Sequence, residues 1–249
     1  MKVYGLIGKT LHHSFSARYF SEKFKTEQIT NCQYLNFELK DMKQEIPALK
    51  KNPEIKGLNI TIPYKTEIIP FLDELTDECQ QVKACNCIKI DNGKWIGYNT
   101  DIAGFEKSFT PYLKPYHKKA LVLGTGGASN AVAFVLQKLN IDFLKVSRRK
   151  NELSSVISYD EINEAVMKEF QIVINTTPVG TSPNIDECPD LPYQFITDKH
   201  YFFDLVYNPP KTLFLSRAEK QGASIENGEN MLAIQAEESW KIWNEKLEQ

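Results

Sequence analysis

The sequence lacks an excess of charge of either sign. It contains 30 Lys and Arg residues against 32 Asp and Glu residues, so its net charge is only −2 at pH 7. A chain this close to neutrality offers no electrostatic surface suited to nucleic acid or to an anionic membrane. We therefore expect a small-molecule substrate recognised in a local pocket, with no nucleic acid and no membrane as partners.

Long apolar runs and a cysteine framework are also missing. No stretch approaches the roughly 20 apolar residues that cross a bilayer, and the N-terminus lacks the apolar region and cleavage site of a signal peptide. The five cysteines are odd in number and scattered, which favours reduced thiols over disulfides. Cys85 and Cys87 have no second pair and no nearby histidine, so we predict no metal site. We expect a cytoplasmic monomer or homodimer.

Alternating strand-like and helix-like segments predict an α/β fold with two domains. A length of 249 residues suits two domains of roughly 100 to 150 residues each. Strands separated by helices pair in parallel through crossovers. We predict an N-terminal α/β domain with a mostly parallel sheet, followed by a second domain that begins after a boundary at about residues 101–118.

Several local predictions refine the first hundred residues. Ser16 is a good N-cap residue before a run of helical periodicity. Helical residues are expected from Lys65 to about Ala84. Asn92-Gly93 lies between two β-prone runs and predicts a hairpin. Either Thr100 or Asp101 is placed to cap the helix that follows.

A glycine-rich loop connects a short buried strand at residues 120–123 to an amphipathic helix. Gly124 permits a tight turn, and Gly126 lets the backbone approach a pyrophosphate group. The helix N-terminus adds free N–H groups and a positive dipole end. A glycine-rich turn without a ligand is the alternative, but the flanking strand and helix favour dinucleotide binding.

The next strand ends in cations. Dinucleotide sites for NAD place Asp or Glu at this position, whereas the extra phosphate of NADP requires cationic donors. Here the chain has Ser147, Arg148, Arg149 and Lys150, which favours NADP over a solvated surface run. Few residues separate Arg149 from the next candidate strand. We therefore expect one helix of the usual nucleotide domain to be missing or reduced to a loop.

Nine segments between Gly5 and Trp243 occur in the order found in one enzyme family. The chain resembles the shikimate dehydrogenases over almost its whole length. The segments are GLIGKTLHHSFSARYF, LNITIPYK, ACNCIKI, GYNTDIAGF, LGTGGASNA, VSRRK, INTTPVG, FDLVYNP and ENGENMLAIQAEESW.

The resemblance implies the reversible NADPH-dependent reduction of 3-dehydroshikimate to shikimate, in the biosynthesis of chorismate and the aromatic amino acids. It also implies a substrate-binding domain at residues 1–101, completed by a C-terminal helix at about 229–249, a Rossmann-like NADP-binding domain at residues 102–228, and an active-site cleft between the two domains. It implies that Lys65 and Asp101 are catalytic. The residues expected to hold the substrate are Ser14, Ser16, Thr61, Asn86, Tyr207 and Gln235, to which Asn99 is added because it ends a strand expected to face the same cleft. The residues expected to contact NADP are Gly124, Thr125, Gly126, Gly127, Ala128, Ser129, Ser147, Arg148, Arg149, Val206, Gly228 and Met231.

The residue chemistry suits this reaction. Oxidation of a secondary alcohol requires removal of a hydride and of the hydroxyl proton, and Lys65 with Asp101 can serve the second task. A charged lysine is a good general acid for reduction of the ketone, and it must be partly desolvated to act as a base in reverse. Ser14 and Ser16 are spaced i, i+2, so in an extended segment they would offer two hydroxyls to a carboxylate.

Three other functions remain open at this stage. A broader quinate/shikimate dehydrogenase with a preference for NAD would use the same fold, although the cationic strand end opposes it. A non-catalytic nucleotide-binding sensor would be expected to have lost Lys65 or Asp101, and both are present. Another two-domain dehydrogenase, such as a folate-linked one, does not account for Ser14, Ser16 and Gln235 together.

Overall fold

Two sheets of six strands each organise the fold. The computed structural model describes residues 1–11, 14–148 and 156–245. The first of two compact units combines Met1–Asp101 with the C-terminal segment from Gln235, and the second unit contains Ile102–Ile234. Among the described residues, no helix is long and apolar enough to span a bilayer.

The first unit begins with strands that alternate with helices and ends in a hairpin. Its sheet has the order β2-β1-β3-β5-β6-β4. The β1-β2, β1-β3 and β4-β6 pairs are parallel, and β5 pairs with β3 and β6 antiparallel. The predicted hairpin is confirmed, since Asn92 and Gly93 both have positive φ angles, of 49° and 83°. The elements are β1 (Lys2–Gly8), α1 (Phe15–Thr26), β2 (Cys32–Glu38), α2 (Met42–Lys50), β3 (Ile55–Ile60), β4 (Glu74–Leu75), α3 (Asp77–Val82), β5 (Cys87–Asp91) and β6 (Lys94–Tyr98).

Two local predictions for this unit are wrong. Ser14 rather than Ser16 caps α1, because the Ser14 hydroxyl accepts the N–H of Ala17 at 3.1 Å while Ser16 lies inside the first turn. The segment after Lys65 is not one helix. It forms turns, a single 3-10 turn with Pro70 near its start, strand β4 and only then α3. Proline cannot donate the backbone hydrogen bond that a continuous helix would need at that position.

The second unit is a parallel sheet in the doubly wound order. Its strands run β12-β11-β10-β7-β8-β9, and the neighbouring strands in this order pair in parallel. This order places β7 and β10 at the point where the connections change direction, which confirms the Rossmann-like prediction. The elements are α4 (Asp101–Phe109), β7 (Lys119–Leu123), α5 (Gly127–Lys138), β8 (Asp142–Ser147), β9 (Val156–Ser158), α6 (Glu164–Glu169), β10 (Ile172–Asn175), β11 (Tyr201–Asp204), α7 (Leu213–Lys220) and β12 (Ser224–Glu226). The last helix, α8 (Glu229–Asn244), begins in this unit and from Gln235 onward belongs to the first unit.

The connection from β8 to β9 is unusually short. β8 ends at Ser147 and β9 begins at Val156, so only residues 148–155 join these parallel neighbours. A crossover through a helix normally needs about a dozen residues or more, and this connection is shorter than that. Residues 149–155, which include the predicted cofactor contact Arg149, lie outside the described residues.

Aromatic packing anchors the C-terminal end of α8 in the first unit. Trp243 is 6% exposed and stacks on Tyr4 with ring centroids 4.9 Å apart. Its indole N–H donates to the carbonyl of Ile88 at 3.0 Å. Phe20 lies beside the same ring at a centroid distance of 5.4 Å. This part of α8 is therefore fixed against the sheet that carries the residues described next.

Candidate active site

Lys65 and Asp101 form an ion pair in the first unit. The Lys65 Nζ atom lies 2.6 Å from Asp101 Oδ2. The Lys65 side chain is 18% exposed and that of Asp101 is 8% exposed. The carboxylate is thus withdrawn from water, while the amine keeps a limited opening to it.

The backbone around Lys65 is held by hydrogen bonds at the end of β3. The Thr61 N–H donates to the carbonyl of Ile7 at 2.9 Å, and the Tyr64 N–H donates to the carbonyl of Thr61 at 2.9 Å. The carbonyl of Lys65 accepts the N–H of Cys85 at 2.7 Å. Pro63 has no N–H to extend the strand ladder, so the chain turns here and presents Lys65 beside the start of β5.

Asn86 orients the other oxygen of Asp101. Its side-chain Nδ2 donates to Asp101 Oδ1 at 2.8 Å, and its Oδ1 accepts the backbone N–H of Thr100 at 2.7 Å. Asn86 is 3% exposed. The amide orientation is therefore set by the backbone, and the carboxylate of Asp101 is bonded on both oxygens, to Asn86 and to Lys65.

Strand pairing brings Asn86 to this position. Its carbonyl accepts the N–H of Ile60 at 2.8 Å, and its own N–H donates to the carbonyl of Tyr98 at 3.2 Å. Asn86 immediately precedes β5, which lies between β3 and β6. The ends of β3, β5 and β6 therefore place Lys65, Asn86 and Asp101 together, although 36 positions separate the lysine and the aspartate.

Asn99 is also buried near this group, but its amide faces the backbone. It is 8% exposed, and its Nδ2 donates to the carbonyl of Ala84 at 2.7 Å. Its Oδ1 is fully buried and has no hydrogen-bond partner among the described residues. The predicted substrate role of Asn99 would use this remaining acceptor.

The two predicted serines occupy different environments. Ser14 caps α1 and is half-buried, whereas Ser16 is 9% exposed and lies in the first turn of the helix. The assumption that both lie in one extended segment is wrong, because α1 begins at Phe15 between them. Helical geometry at Ser16 replaces the two-residue alternation of a strand.

Two buried polar residues behind the ion pair were missed by the sequence reasoning. Asn59 is 3% exposed and Ser239 is fully buried, and they are joined by a 2.9 Å hydrogen bond. A polar side chain within the apolar strand segment Ile55–Ile60 was a usable sign for Asn59. Nothing in the local pattern of α8 marks Ser239, since its partners lie far away in the sequence.

The glycine-rich loop of the second unit has the geometry of a phosphate-binding turn. Gly124 has φ +110°, and a Cβ atom there would lie 2.7 Å from Thr176 Oγ1. Gly126 is the N-cap of α5, and a Cβ atom there would meet nothing within 4 Å. The loop thus leaves open space at the start of the helix, where free N–H groups can bind an anion.

The donor set around this loop fits NADP. Ser129 in the first turn of α5 is fully buried, and its hydroxyl has no partner among the described residues. Thr125 is exposed, and Gly127 and Ala128 begin the helix partly buried. At the end of β8, Ser147 is half-buried and Arg148 is exposed. A helix N-terminus with a neighbouring guanidinium suits a dinucleotide that carries an additional phosphate.

The remaining predicted positions follow β11 and precede or begin α8. Val206 and Met231 are buried, at 6% and 7% exposure, and Tyr207 is half-buried. Gly228 donates its N–H to the carbonyl of Val206 at 3.3 Å. Any side chain at Gly228 would overlap the carbonyl of Leu205, so close backbone packing accounts for this glycine apart from any cofactor role.

Comparisons with known proteins place the chain in one family. Residues 6–88 match the model described as the shikimate dehydrogenase substrate binding domain. A shikimate dehydrogenase (NADP(+)) of Caldicellulosiruptor saccharolyticus is 36% identical over 260 residues, covering 98% of this chain and 92% of that protein. The chain belongs to the shikimate dehydrogenase family.

Solved structures of shikimate dehydrogenases agree with this assignment. The enzyme from Aquifex aeolicus has a TM-score of 0.86 and 34% identity, covering 98% of this chain and 92% of that one. The enzyme from Thermus thermophilus, solved in complex with NADP(H) and shikimate, has a TM-score of 0.85 and 25% identity, covering 100% of this chain and 95% of that one.

This shikimate dehydrogenase family member also has a buried carboxylate in its second unit. Asp204 is fully buried and accepts three hydrogen bonds: from Asn175 Nδ2 at 2.9 Å, the Val206 N–H at 3.0 Å and Thr212 Oγ1 at 2.6 Å. Burial raises the pKa of Asp204 to about 6, against the opposite effect of its three donors. The carboxylate ties the ends of β10 and β11 to the N-cap of α7, next to Val206 and Tyr207.

Proposed function

We propose that the protein catalyses the reversible NADPH-dependent reduction of 3-dehydroshikimate to shikimate, a step toward chorismate and the aromatic amino acids. Its membership of the shikimate dehydrogenase family supports this reaction. The observation that carries the chemistry is the 2.6 Å contact between Lys65 and Asp101 at the strand ends of the first unit. Lys65 is the proton donor, Asp101 is its counter-charge, and both side chains are largely shielded from water.

In the direction of reduction, Lys65 acts as the general acid. NADPH, when bound, supplies the hydride for the carbonyl carbon. The Lys65 ammonium gives a proton to the carbonyl oxygen, while Asp101 holds the amine in place. In the direction of oxidation, the same pair accepts the hydroxyl proton. A positioned acid or base of this kind contributes typically about 10² to 10⁴ in rate.

The substrate is a cyclic polyol with one carboxylate, and hydroxyl and amide groups suit it. Ser14 Oγ already accepts the N–H of Ala17, so its hydrogen is available to the substrate carboxylate. Ser16 is assigned to the same substrate. The remaining polar contacts are assigned to Thr61, Asn86, Asn99, Tyr207 and Gln235. A site of buried hydrogen-bonding groups rejects analogues that leave these groups unpaired.

The cofactor is assigned to the second unit. In this proposal residues 102–228 form the NADP-binding domain, and residues 1–101 with about 229–249 form the substrate-binding domain. Gly124 to Ser129 bind the pyrophosphate, and Ser147, Arg148 and Arg149 bind the additional phosphate. Val206, Gly228 and Met231 are assigned to the nicotinamide end.

The decisive assay follows absorbance at 340 nm with shikimate and NADP, and repeats it with NAD and with quinate. We expect activity with shikimate and NADP, and a Lys65→Ala variant should lose at least about 10² in turnover at little-changed shikimate affinity. Lys94→Ala is the matched control, since that lysine forms an exposed ion pair with Glu74. Turnover of Lys65→Ala within a few fold of the parent would show that Lys65 is not the acid. Faster rates with quinate and NAD would favour the alternative enzyme.

The proposal includes a cellular location and an oligomeric state. All five cysteines are free thiols, which suits a reducing compartment and supports a cytoplasmic location. We propose a monomer or a homodimer, and sedimentation at several protein concentrations would distinguish the two.

A further inference from the structure

Ser239 lies at the centre of a buried hydrogen-bond network in the first unit. Its hydroxyl donates to the carbonyl of Gln235, four residues earlier in α8, at 2.9 Å. It accepts a hydrogen bond from Asn59 Nδ2 at 2.9 Å. Its oxygen also lies 3.2 Å from the hydroxyl of Thr100. Ser239 is fully buried, so these protein groups take the place of water.

The network continues from Ser239 to the ion pair. The Thr100 hydroxyl accepts from Asn86 Nδ2 at 3.1 Å, and the same amide nitrogen donates to Asp101 Oδ1 at 2.8 Å. Asp101 then contacts Lys65 through its other oxygen. A polar path of four side-chain contacts, through the three intervening residues Thr100, Asn86 and Asp101, therefore joins Ser239 of α8 to the proposed general acid.

The network also extends in the other direction, toward β2. Asn59 Oδ1 accepts the hydroxyl hydrogen of Tyr34 at 2.9 Å. Gln235, which is proposed to hold the substrate, is connected to Ser239 through its backbone carbonyl.

One arrangement of hydrogens satisfies the centre of this network. Ser239 has a single hydrogen, which it gives to the Gln235 carbonyl, so it accepts from Asn59 and can accept from Thr100. The Thr100 hydroxyl also lies 3.3 Å from Asn86 Oδ1, which is a second acceptor for its hydrogen. The Thr100 oxygen keeps a lone pair for Asn86 Nδ2. The second hydrogen of Asn59 Nδ2 reaches the Asn86 carbonyl at 3.3 Å. Removal of the Ser239 oxygen would leave Asn59 without this acceptor in a buried place, and would leave the Thr100 hydroxyl with only the longer contact to Asn86 Oδ1.

We propose that Ser239 is a positioning residue for the reaction. Ser239 couples the Gln235 segment of α8 to Thr100, Asn86 and Asp101, and these three residues orient Lys65. The inference rests on the proposed roles of Lys65 and Asp101. Ser239 does not touch the reacting atoms. It acts through Thr100, whose hydroxyl helps to fix the Asn86 amide and thereby the carboxylate. Small displacements of such groups change rates strongly, because catalysis requires a near-attack geometry.

The test compares Ser239→Ala with a matched control in the full chain. Ser108 is the control, because it is also a buried helical serine, at 4% exposure, whose hydroxyl donates to the carbonyl four residues earlier at 2.8 Å. Steady-state rates with shikimate and NADP would be measured for both variants beside urea unfolding. The net value of one hydrogen bond predicts that kcat of Ser239→Ala falls roughly two- to tenfold. The KM for NADP should be unchanged, and Ser108→Ala should keep the parental kcat.

A double-mutant cycle separates positioning from general loss of structure. Thr100→Val keeps the side-chain volume and removes the hydroxyl, so we expect it to lower kcat as much as Ser239→Ala does. The combined variant should be no slower than either single variant, because both interrupt the same path. Thr100→Val alone decides the matter should Ser239→Ala fail to fold.

Three results would overturn the inference: parental kcat in Ser239→Ala or in Thr100→Val, an equal loss in Ser108→Ala, or losses that multiply in the combined variant. Failure of the proposed function looks different, since the parent enzyme itself would then be inactive with shikimate and NADP.

Discussion

The buried carboxylate of Asp204 makes the stability of the second unit depend on pH, and Asp204→Asn should remove that dependence. The folded state raises the pKa of this group from 3.8 to about 6, so folding disfavours the ionised form. The unfavourable contribution is absent below about pH 4, grows as pH rises, and is complete above about pH 6. At about 1.4 kcal/mol per pKa unit it amounts to about 3 kcal/mol at neutral pH. Asp204 is fully buried, so solvent does not screen it.

The asparagine variant gives up a favourable contribution that is independent of pH. An asparagine keeps one acceptor oxygen, but its NH₂ group cannot replace the second carboxylate oxygen as an acceptor for Asn175, Val206 or Thr212. Loss of one such hydrogen bond in a buried place costs about 1 to 3 kcal/mol. The two effects are distinguished by their pH dependence. Between pH 5 and pH 8 the parent should lose about 1 kcal/mol through ionisation of Asp204, and the variant should not.

Urea unfolding at several pH values between 5 and 8, followed by far-UV circular dichroism, measures this difference. The free energy of unfolding of Asp204→Asn minus that of the parent should increase with pH. Tryptophan fluorescence is a useful second probe because it follows the unfolding of the first unit, to which Trp95, Trp240 and Trp243 all belong. A difference that stays constant across the range, or that decreases as pH rises, would refute the reasoning about Asp204.

Three further changes have distinct expected results. Gly124→Ala introduces a Cβ at φ +110°, 2.7 Å from Thr176 Oγ1. It should lower the free energy of unfolding by about 1 to 3 kcal/mol and weaken NADP binding measured by calorimetry. Parental values of both quantities would contradict the turn geometry. Arg148→Ala should weaken binding of NADP about tenfold and leave that of NAD nearly unchanged, and equal losses for both would contradict the phosphate role. Trp243→Ala removes the stacking and the hydrogen bond to Ile88 and should cost about 3 to 5 kcal/mol in urea unfolding, whereas a cost below about 1 kcal/mol would contradict its role as an anchor.

Features set by neighbouring residues were predictable from the sequence. Asn92-Gly93 gave the hairpin because both positions need positive φ angles, which these residues tolerate. The glycine-rich loop before α5 was predictable for a similar reason, since Gly124 has a backbone conformation that other residues rarely adopt. In both cases the local backbone restricts the choice of residue type, and a short stretch of sequence is informative.

Features set by distant residues were not predictable in the same way. Ser14 and Ser16 are equally good caps by residue type, and the choice between them depends on where α1 packs. Asn59 and Ser239 meet although 180 positions separate them, and neither stretch alone shows what satisfies its polar group. The irregular segment after Lys65 depends on the turn that presents this residue beside Cys85. Long-range pairing decides these details, and one sequence does not encode it in any local pattern.

The chemistry of the groups around the ion pair explains why such a network would serve a proton relay. The groups that hold Asp101 and its neighbours are amides and hydroxyls: Asn86, Thr100, Ser239 and Asn59. These side chains neither gain nor lose a proton near neutral pH. They orient the carboxylate without competing for the proton that Lys65 carries. A charged residue at any of these buried positions would need its own partner and would give the proton another place to go. In the proposed reaction, these neutral donors would confine the transfer to Lys65, Asp101 and the substrate oxygen.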